Sequence, residues 1–253
     1  MAVIKKTKEK IIFSAETSEG MANAIRRSAN EIPILAIDEI EFLKNDSALY
    51  DEIIAHRLGL VPLKNEKLAD GEKCSCKGKG CGKCTVQLKL SAVGPCTVYS
   101  KSLKGAEVVY DKMPIVMLTE GKELELVAKA RLGRGVEHAK FSPGLVYYRN
   151  KAQIEIGKDC DLCEDCVKAC PLKIIKKDKK IIASEEDRYL CDSCEACVEA
   201  CKKKHDRGHI NISPSGEIVF FIESFGQIDA KDILEGAIET LNKNLEQVNK
   251  ELK

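Results

Sequence analysis

The sequence has no tryptophan, six phenylalanines and six tyrosines, four methionines and almost no net charge: 41 Lys and Arg stand against 40 Asp and Glu, leaving +1 over 253 residues. That balance lacks the basic excess that binding to a phosphate backbone demands, so no direct contact with nucleic acid is expected. No apolar run approaches the roughly 18 residues of a membrane-spanning helix, and the N-terminal Met1-Ala2-Val3-Ile4-Lys5 has no signal-peptide core. A cytoplasmic protein is expected, with no membrane partner. No Gly-x-Gly-x-x-Gly follows a strand and no Walker sequence occurs, so the usual nucleotide cradles are missing. His56 and His138 are isolated, and His205 and His209 trail a cysteine-rich stretch. No catalytic residue is assigned, and the chain is not expected to be an enzyme by itself. At 44% apolar and 32% charged residues, the composition is that of a folded protein of one to three domains.

Cysteine, by contrast, is abundant: thirteen residues, twelve of them in three groups. In a reducing compartment clustered cysteines are metal ligands more often than disulfides. Cys160-x2-Cys163-x2-Cys166-x3-Cys170-Pro171 is the bacterial ferredoxin spacing, and Cys191-x2-Cys194-x2-Cys197-x3-Cys201 repeats it thirty-one residues later. Three thiolates two residues apart wrap one four-iron cluster, and the fourth ligand comes from the other run. Cys160, Cys163, Cys166 and Cys201 are therefore assigned to a first 4Fe-4S cluster, and Cys191, Cys194, Cys197 and Cys170 to a second; zinc or disulfides are the alternatives. Pro171 follows the first run whereas Lys202 follows the second, so the exit from Cys201 is less constrained. Acidic residues near the cysteines and lysines in the linker between the runs read as solvated faces.

A separate group, Cys74-x-Cys76-x4-Cys81-x2-Cys84, is embedded in Gly71, Gly78, Gly80 and Gly82. Four thiolates suit tetrahedral zinc, with a reduced, metal-free loop as the alternative. Cys96 stands alone in a strand-like stretch and reads as a small core hydrophobe.

Around these groups the pattern predicts a strand within residues 3 to 13, a helix capped by Thr17 or Ser18 that buries Met21, Ala24, Ile25 and Ser28, and a strand from Ile34. A second helix over Leu49 to Leu58 places Ile53, Ile54 and Leu58 on one face. Short strands follow to about Tyr148, and two more, at Ile154 to Ile156 and Ile218 to Ile222, flank the ferredoxin-like stretch. The chain closes with a helix of some 22 residues from Ala230, about 33 Å long. Its stripe Ile233, Leu234, Ala237, Ile238, Leu241, Leu245, Val248 and Leu252 is longer than a small domain covers.

Met21-Ala22-Asn23-Ala24-Ile25-Arg26-Arg27 and Glu31 to Asp38 resemble the N-terminal signature of the α-like assembly subunits of RNA polymerases. Leu49 to Leu63, His138 to Pro143 and Glu223 to Gln227 are similar to the archaeal and eukaryotic nuclear form, and the inserted two-cluster module is similar to that of many archaeal, Rpo3-type members. The resemblance implies an α+β fold: a discontinuous α/β dimerisation domain with an inserted β-rich domain and an inserted ferredoxin-like 4Fe-4S domain. The expected division is 1-45, dimerisation domain, first part; 46-145, inserted β-rich domain with the cysteine loop 74-84; 146-158, middle strand; 159-205, iron-sulfur domain; 206-253, last part with the long helix. It further implies a non-catalytic subunit of a DNA-directed RNA polymerase that pairs with a smaller α-like subunit, L or Rpo11, as platform for the large subunits. Ile25, Leu234, Ile238 and Leu241 would lie at that interface. A different reading, an electron carrier or oxidoreductase subunit, leaves about four fifths of the chain unexplained.

Overall fold

A computed structural model describes residues 2–64, 74–76, 81–205 and 209–252. The described residues form an α+β fold of two compact units, each assembled from separate stretches of chain.

The first unit gathers Met1–Lys6, Ile11–Asn23 and Tyr147–Phe221. The single strand expected over residues 3 to 13 is instead a hairpin, β1 (Ala2–Lys6) with β2 (Lys10–Ala15). The polar run between Lys5 and Lys10 makes the turn, where the Thr7 hydroxyl donates to the Lys10 carbonyl at 3.1 Å. Helix α1 (Glu19–Ser28) follows, and Ser18 Oγ accepts the Met21 N–H at 3.2 Å, as its capping role requires. Its buried face is displaced in part from the expected one: Ser28 is buried as expected and Ala22 is buried too, Ala24 and Ile25 are half-buried, and Met21 is 47% exposed. Small side chains let a helix approach closely, which a hydrophobicity ranking that favours Met over Ala does not register.

The second unit gathers Thr7–Lys10, Ala24–Val146 and Ile222–Lys253. After a single 3-10 turn at Ala29–Glu31, β3 (Ile34–Asn45) starts directly behind Pro33. Helix α2 (Asp51–Gly59) buries Ile54 and Leu58 but leaves Ile53 46% exposed, because successive helical residues point about 100° apart and only one narrow face meets the core. Next come β4 (Thr85–Val93), β5 (Cys96–Tyr99), β6 (Pro114–Leu118) and β7 (Glu123–Gly133). They make an antiparallel sheet in the order β3-β7-β4 and a β5-β6 hairpin. The core joins Leu35 and Ile37 to Ile54, Leu58, Leu88 and Leu126. Cys96 lies at the start of β5 with its side chain exposed, not in the core, and its thiol donates to the Val93 carbonyl at 3.5 Å. Asp38 pairs with Arg131 at 2.7 Å and Lys140 at 2.6 Å. Partial burial works against the charge of that carboxylate, but the two cations prevail and hold its pKa below the usual value.

Strand β8 (Gly144–Ile156) leads to the cysteine module: α3 (Asp165–Ala169), the short antiparallel pair β9 (Lys176–Lys177) and β10 (Ile181–Ile182), α4 (Glu185–Leu190) and α5 (Ala196–Lys204). Strand β11 (Ile210–Ser224) returns from it, and a four-stranded sheet forms in the order β1-β2-β11-β8. Residues 11 to 14 and 218 to 222 are buried without alternation, which means both sheet faces are covered there. Within the first unit Phe13 stacks on Phe220 with ring centroids 4.9 Å apart, and Tyr147 on Phe221 at 4.7 Å.

Helix α6 (Ala230–Glu251) ends the chain. Asp229 occupies its N-cap position without a side-chain hydrogen bond to the helix. Ala230, Ile233 and Ala237 are buried, and a Cβ added at Gly236 would stand 3.1 Å from Ile32 Cδ1, so that glycine permits the close packing of α6 on its unit.

Candidate metal centres

The two ferredoxin-like runs fold alike in detail. In the first, Leu162 and Glu164 have φ of 59° and 67°; in the second, Ser193 and Glu195 have 56° and 60°. Left-handed backbone at non-glycine residues costs of order 1 to 3 kcal/mol each and persists only where the surroundings enforce it. Alternating left-handed residues point successive N–H groups into one concavity, the nest that suits the anionic sulfurs of an iron-sulfur site. Each loop is pinned by an aspartate: Asp161 Oδ1 accepts the Cys163 N–H and Asp192 Oδ1 accepts the Cys194 N–H, both at 3.2 Å. Glu164 and Glu195 then open α3 and α5. Asp161 and Glu164, read from sequence as solvated, thus take part in the loops; the shared pattern Cys-Asp-x-Cys-Glu-x-Cys is the signal that was there to be used. The Lys177 ammonium also reaches back to Glu164 at 2.6 Å and to the Leu162 carbonyl at 3.1 Å, so one linker lysine braces a cysteine loop.

Cys166, Cys170, Cys191, Cys197 and Cys201 are buried, Cys160 and Cys163 half-buried, and Cys194 exposed. Burial raises the Cys166 thiol pKa, and the neighbouring thiols that raise it further are Cys201, Cys160 and Cys163. Burial also raises Cys197, to about 11, and there the neighbours are Cys170 and Cys191. Cys191 is raised chiefly by burial, with Asp192, Cys170 and Cys194 adding to it. Each fourth cysteine therefore stands beside cysteines of the opposite run. Cys160, Cys163, Cys166 and Cys201 line one small cavity together with Ile156 and Ile181. Thiols held neutral by burial lose their protons when iron binds, and the donor set, nests and cavity fit cubane clusters.

The four cysteines of the shorter loop also converge. Cys74 and Cys81 Sγ are 3.5 Å apart, Cys76 and Cys84 3.5 Å, and Cys81 and Cys84 3.9 Å. A tetrahedron of thiolates at the usual Zn–S distance has S···S edges of about 3.8 Å. The tight Cys74-Ser75-Cys76 half thus does not prevent a four-thiol site, and the Thr85 N–H and hydroxyl both donate to the Cys81 carbonyl at 3.0 Å to shape the other half. Gly71, Gly78 and Gly80 lie outside the described residues. A backbone hydrogen bond from Cys81, helped by its thiol neighbours, lowers Cys76 to about 6, while burial and the hydrogen bond with Cys76 push Cys84 up to about 11. One charge is accommodated readily; four at this spacing require a cation.

The residues expected at a subunit interface are placed unevenly. Ile25, Leu234 and Leu241 are half-buried within the chain, and Ile238 is 41% exposed. Leu245, Val248 and Leu252 continue the stripe at spacings of three and four and are all exposed. His138 Nδ1 accepts the Lys140 N–H at 3.1 Å, a local structural role.

Two family models match the chain: the RNA polymerase Rpb3/RpoA insert domain over residues 25–144 and a 4Fe-4S dicluster domain over residues 153–202. Curated relatives match over nearly the whole length. The DNA-directed RNA polymerase subunit Rpo3 of Archaeoglobus fulgidus is 34% identical, covering 92% of this chain and 89% of the relative. That of Methanothermobacter thermautotrophicus is 39% identical over 98% and 97%, and that of Thermococcus kodakarensis 35% over 91% and 88%.

Proposed function

This chain belongs to the Rpo3 family of archaeal DNA-directed RNA polymerase subunits, and from that premise we propose how it assembles and what its cysteines hold. It is a non-catalytic assembly subunit of the polymerase and joins other polymerase subunits in transcription. An independent electron carrier is not favoured, because the relatives match across both units and not the iron-sulfur stretch alone.

The partner in our reading is the smaller α-like subunit, L or Rpo11, and the pair is the platform for the large catalytic subunits. The observation that carries this is the apolar stripe on α6, whose Ile238, Leu245, Val248 and Leu252 stay exposed while the same helix is anchored through Ile233 and Ala237. Ile25, Leu234, Ile238 and Leu241 form or border the contact. Residues 1-45, 146-158 and 206-253 make the dimerisation domain, 46-145 the β-rich insertion and 159-205 the iron-sulfur insertion. No helix among the described residues is long and apolar enough to cross a membrane, in keeping with a cytoplasmic complex. Anaerobic co-expression with Rpo11 is expected to yield a one-to-one heterodimer by light scattering; a chain that remains alone in the presence of Rpo11 would refute the pairing.

The iron-sulfur module binds, in this reading, two 4Fe-4S clusters: one on Cys160, Cys163, Cys166 and Cys201, the other on Cys191, Cys194, Cys197 and Cys170. Proximity of the fourth cysteines to the opposite runs supports the exchange. Zinc occupies Cys74, Cys76, Cys81 and Cys84, supported by the sulfur spacing there. Metal analysis separates the two claims. Cys84→Ser is expected to lower zinc from about one per chain to near zero while iron stays at about eight. Unchanged zinc would place the metal elsewhere.

A further inference from the structure

The two cysteine runs share a backbone path but not the means of holding their fourth ligand. After Cys170 the pyrrolidine ring of Pro171 restricts the chain, and α3 has already stopped at Ala169. Cys201 has no such neighbour: with Lys202 next, α5 continues through the cysteine to Lys204. Other groups hold it. The His209 N–H donates to Cys201 Sγ at 3.1 Å, and the His205 N–H donates to the Cys201 carbonyl at 3.0 Å. The two imidazoles meet edge to face with centroids 4.9 Å apart. His205 Nε2 lies 3.4 Å from Asp161 Oδ1, the oxygen that accepts the Cys163 N–H. A His205 ring nitrogen, an Asp161 oxygen and Cys163 Sγ all fall within 4.8 Å of one another. His205 Nε2 is buried and makes no hydrogen bond among the described residues, which leaves it directed at the sulfur and carboxylate beside it.

A continuous set of contacts therefore runs from Cys201 through His209, His205 and Asp161 to Cys163, joining two ligands of one proposed cluster from opposite ends of the module. The second run has the aspartate, Asp192 on Cys194, but no histidine in the equivalent place. The asymmetry follows the missing proline.

We propose that His205 is a positioning residue for the first cluster alone, doing for Cys201 what Pro171 does for Cys170. It sets the distance between Cys201 and the Asp161–Cys163 loop by packing on His209 and by presenting a ring nitrogen to Asp161 and Cys163. Removing groups that orient metal ligands in this way commonly changes metal retention by roughly 10- to 100-fold. The proposal rests on the two-cluster reading above, and the test keeps the two apart.

The experiment compares the unmodified full-length chain, His205→Ala and His205→Gln, all prepared anaerobically, by iron content, by the rate of iron release to a chelator and by the EPR spectrum of the reduced protein. The unmodified chain is expected to hold about eight irons. In His205→Ala, release should become biphasic: about half the iron leaves roughly 10- to 100-fold faster, the other half leaves at the original rate, and the reduced spectrum simplifies to that of a single cluster. His205→Gln, which keeps an N–H donor at similar reach, should slow the fast phase back toward the unmodified rate. Release at the original rate for all the iron, equal acceleration of both halves, or a glutamine variant as labile as alanine would each overturn the role of His205. An unmodified chain with only about four irons would overturn the two-cluster reading itself, and the proposal with it.

Discussion

Ile238→Asp combined with Leu245→Asp is expected to abolish the heterodimer with Rpo11 while leaving the isolated chain as stable as before. Both side chains are largely exposed, at 41% and 56%, so the carboxylates remain in water when the chain is alone and its melting temperature should move by little. On pairing, the same carboxylates would be buried in an apolar seam without a partner charge, where each costs several kcal/mol. A loss of about 3 kcal/mol already weakens binding about 100-fold, so the double substitution should leave no complex at micromolar concentrations. The control is Ile233→Asp, which strikes a fully buried position on the same helix and should destabilise the chain itself. Light scattering and a thermal melt, run on all three proteins, separate the two effects. A double variant that still binds Rpo11 at the unmodified affinity would remove α6 from the interface.

The second large effect is expected from iron removal. The segment from Asp159 to His205 is small, and its core is built in good part from the proposed ligands: Cys166, Cys170, Cys191, Cys197 and Cys201 pack with Ile174, Ile175, Ile181 and Val198. A domain of this size does not bury enough apolar surface to offset its own chain entropy. The clusters supply the remainder, as structural metals do in small domains whose folding free energy is largely metal-binding free energy. Stripping the iron anaerobically should therefore open the module, raising its proteolysis rate roughly 100-fold or more, the change that a loss near 3 kcal/mol of local stability produces. Cleavage should fall within residues 159 to 205, while the β3-β7-β4 sheet and its core, which contain no cluster ligand, keep their protection. Pairing with Rpo11 should weaken as well, because β8 and β11 enter and leave the module. Unchanged proteolysis and pairing after iron removal would make the clusters dispensable to assembly and leave a sensing or redox role as their reason to be there.

The features legible in the residues were those governed by local chain geometry. A spacing of two, two and three between cysteines is a statement about one short turn, and the two turns repeat the same pair of left-handed positions, Leu162 and Glu164 in one and Ser193 and Glu195 in the other. Ser18 as a helix cap, Pro33 before a strand and the unbroken apolar runs at 11 to 13 and 218 to 222 also act over a few residues. Where the reading missed, the deciding contact was remote or the side chain small. Ile53 and Ile54 are equally apolar, and only the position of the core relative to α2 selects the second. Met21 is exposed while Ala22 beside it is fully buried, a choice of face that the hydrophobicity of either residue does not record. Cys96 reads like a core residue but sits at the exposed start of β5.

From the residues alone came the two four-cysteine runs, the proposed exchange of their fourth ligands and the family resemblance, because covalent spacing sets which thiolates can wrap one metal group. Tertiary structure decided how the cramped loop brings Cys74 and Cys76 together with Cys81 and Cys84, that His205 and His209 lie against Cys201, and how much of α6 stays bare. Those outcomes depend on groups far apart along the chain or on which faces the rest of the fold covers. No spacing rule carries that information, since burial and approach are properties of the packed molecule.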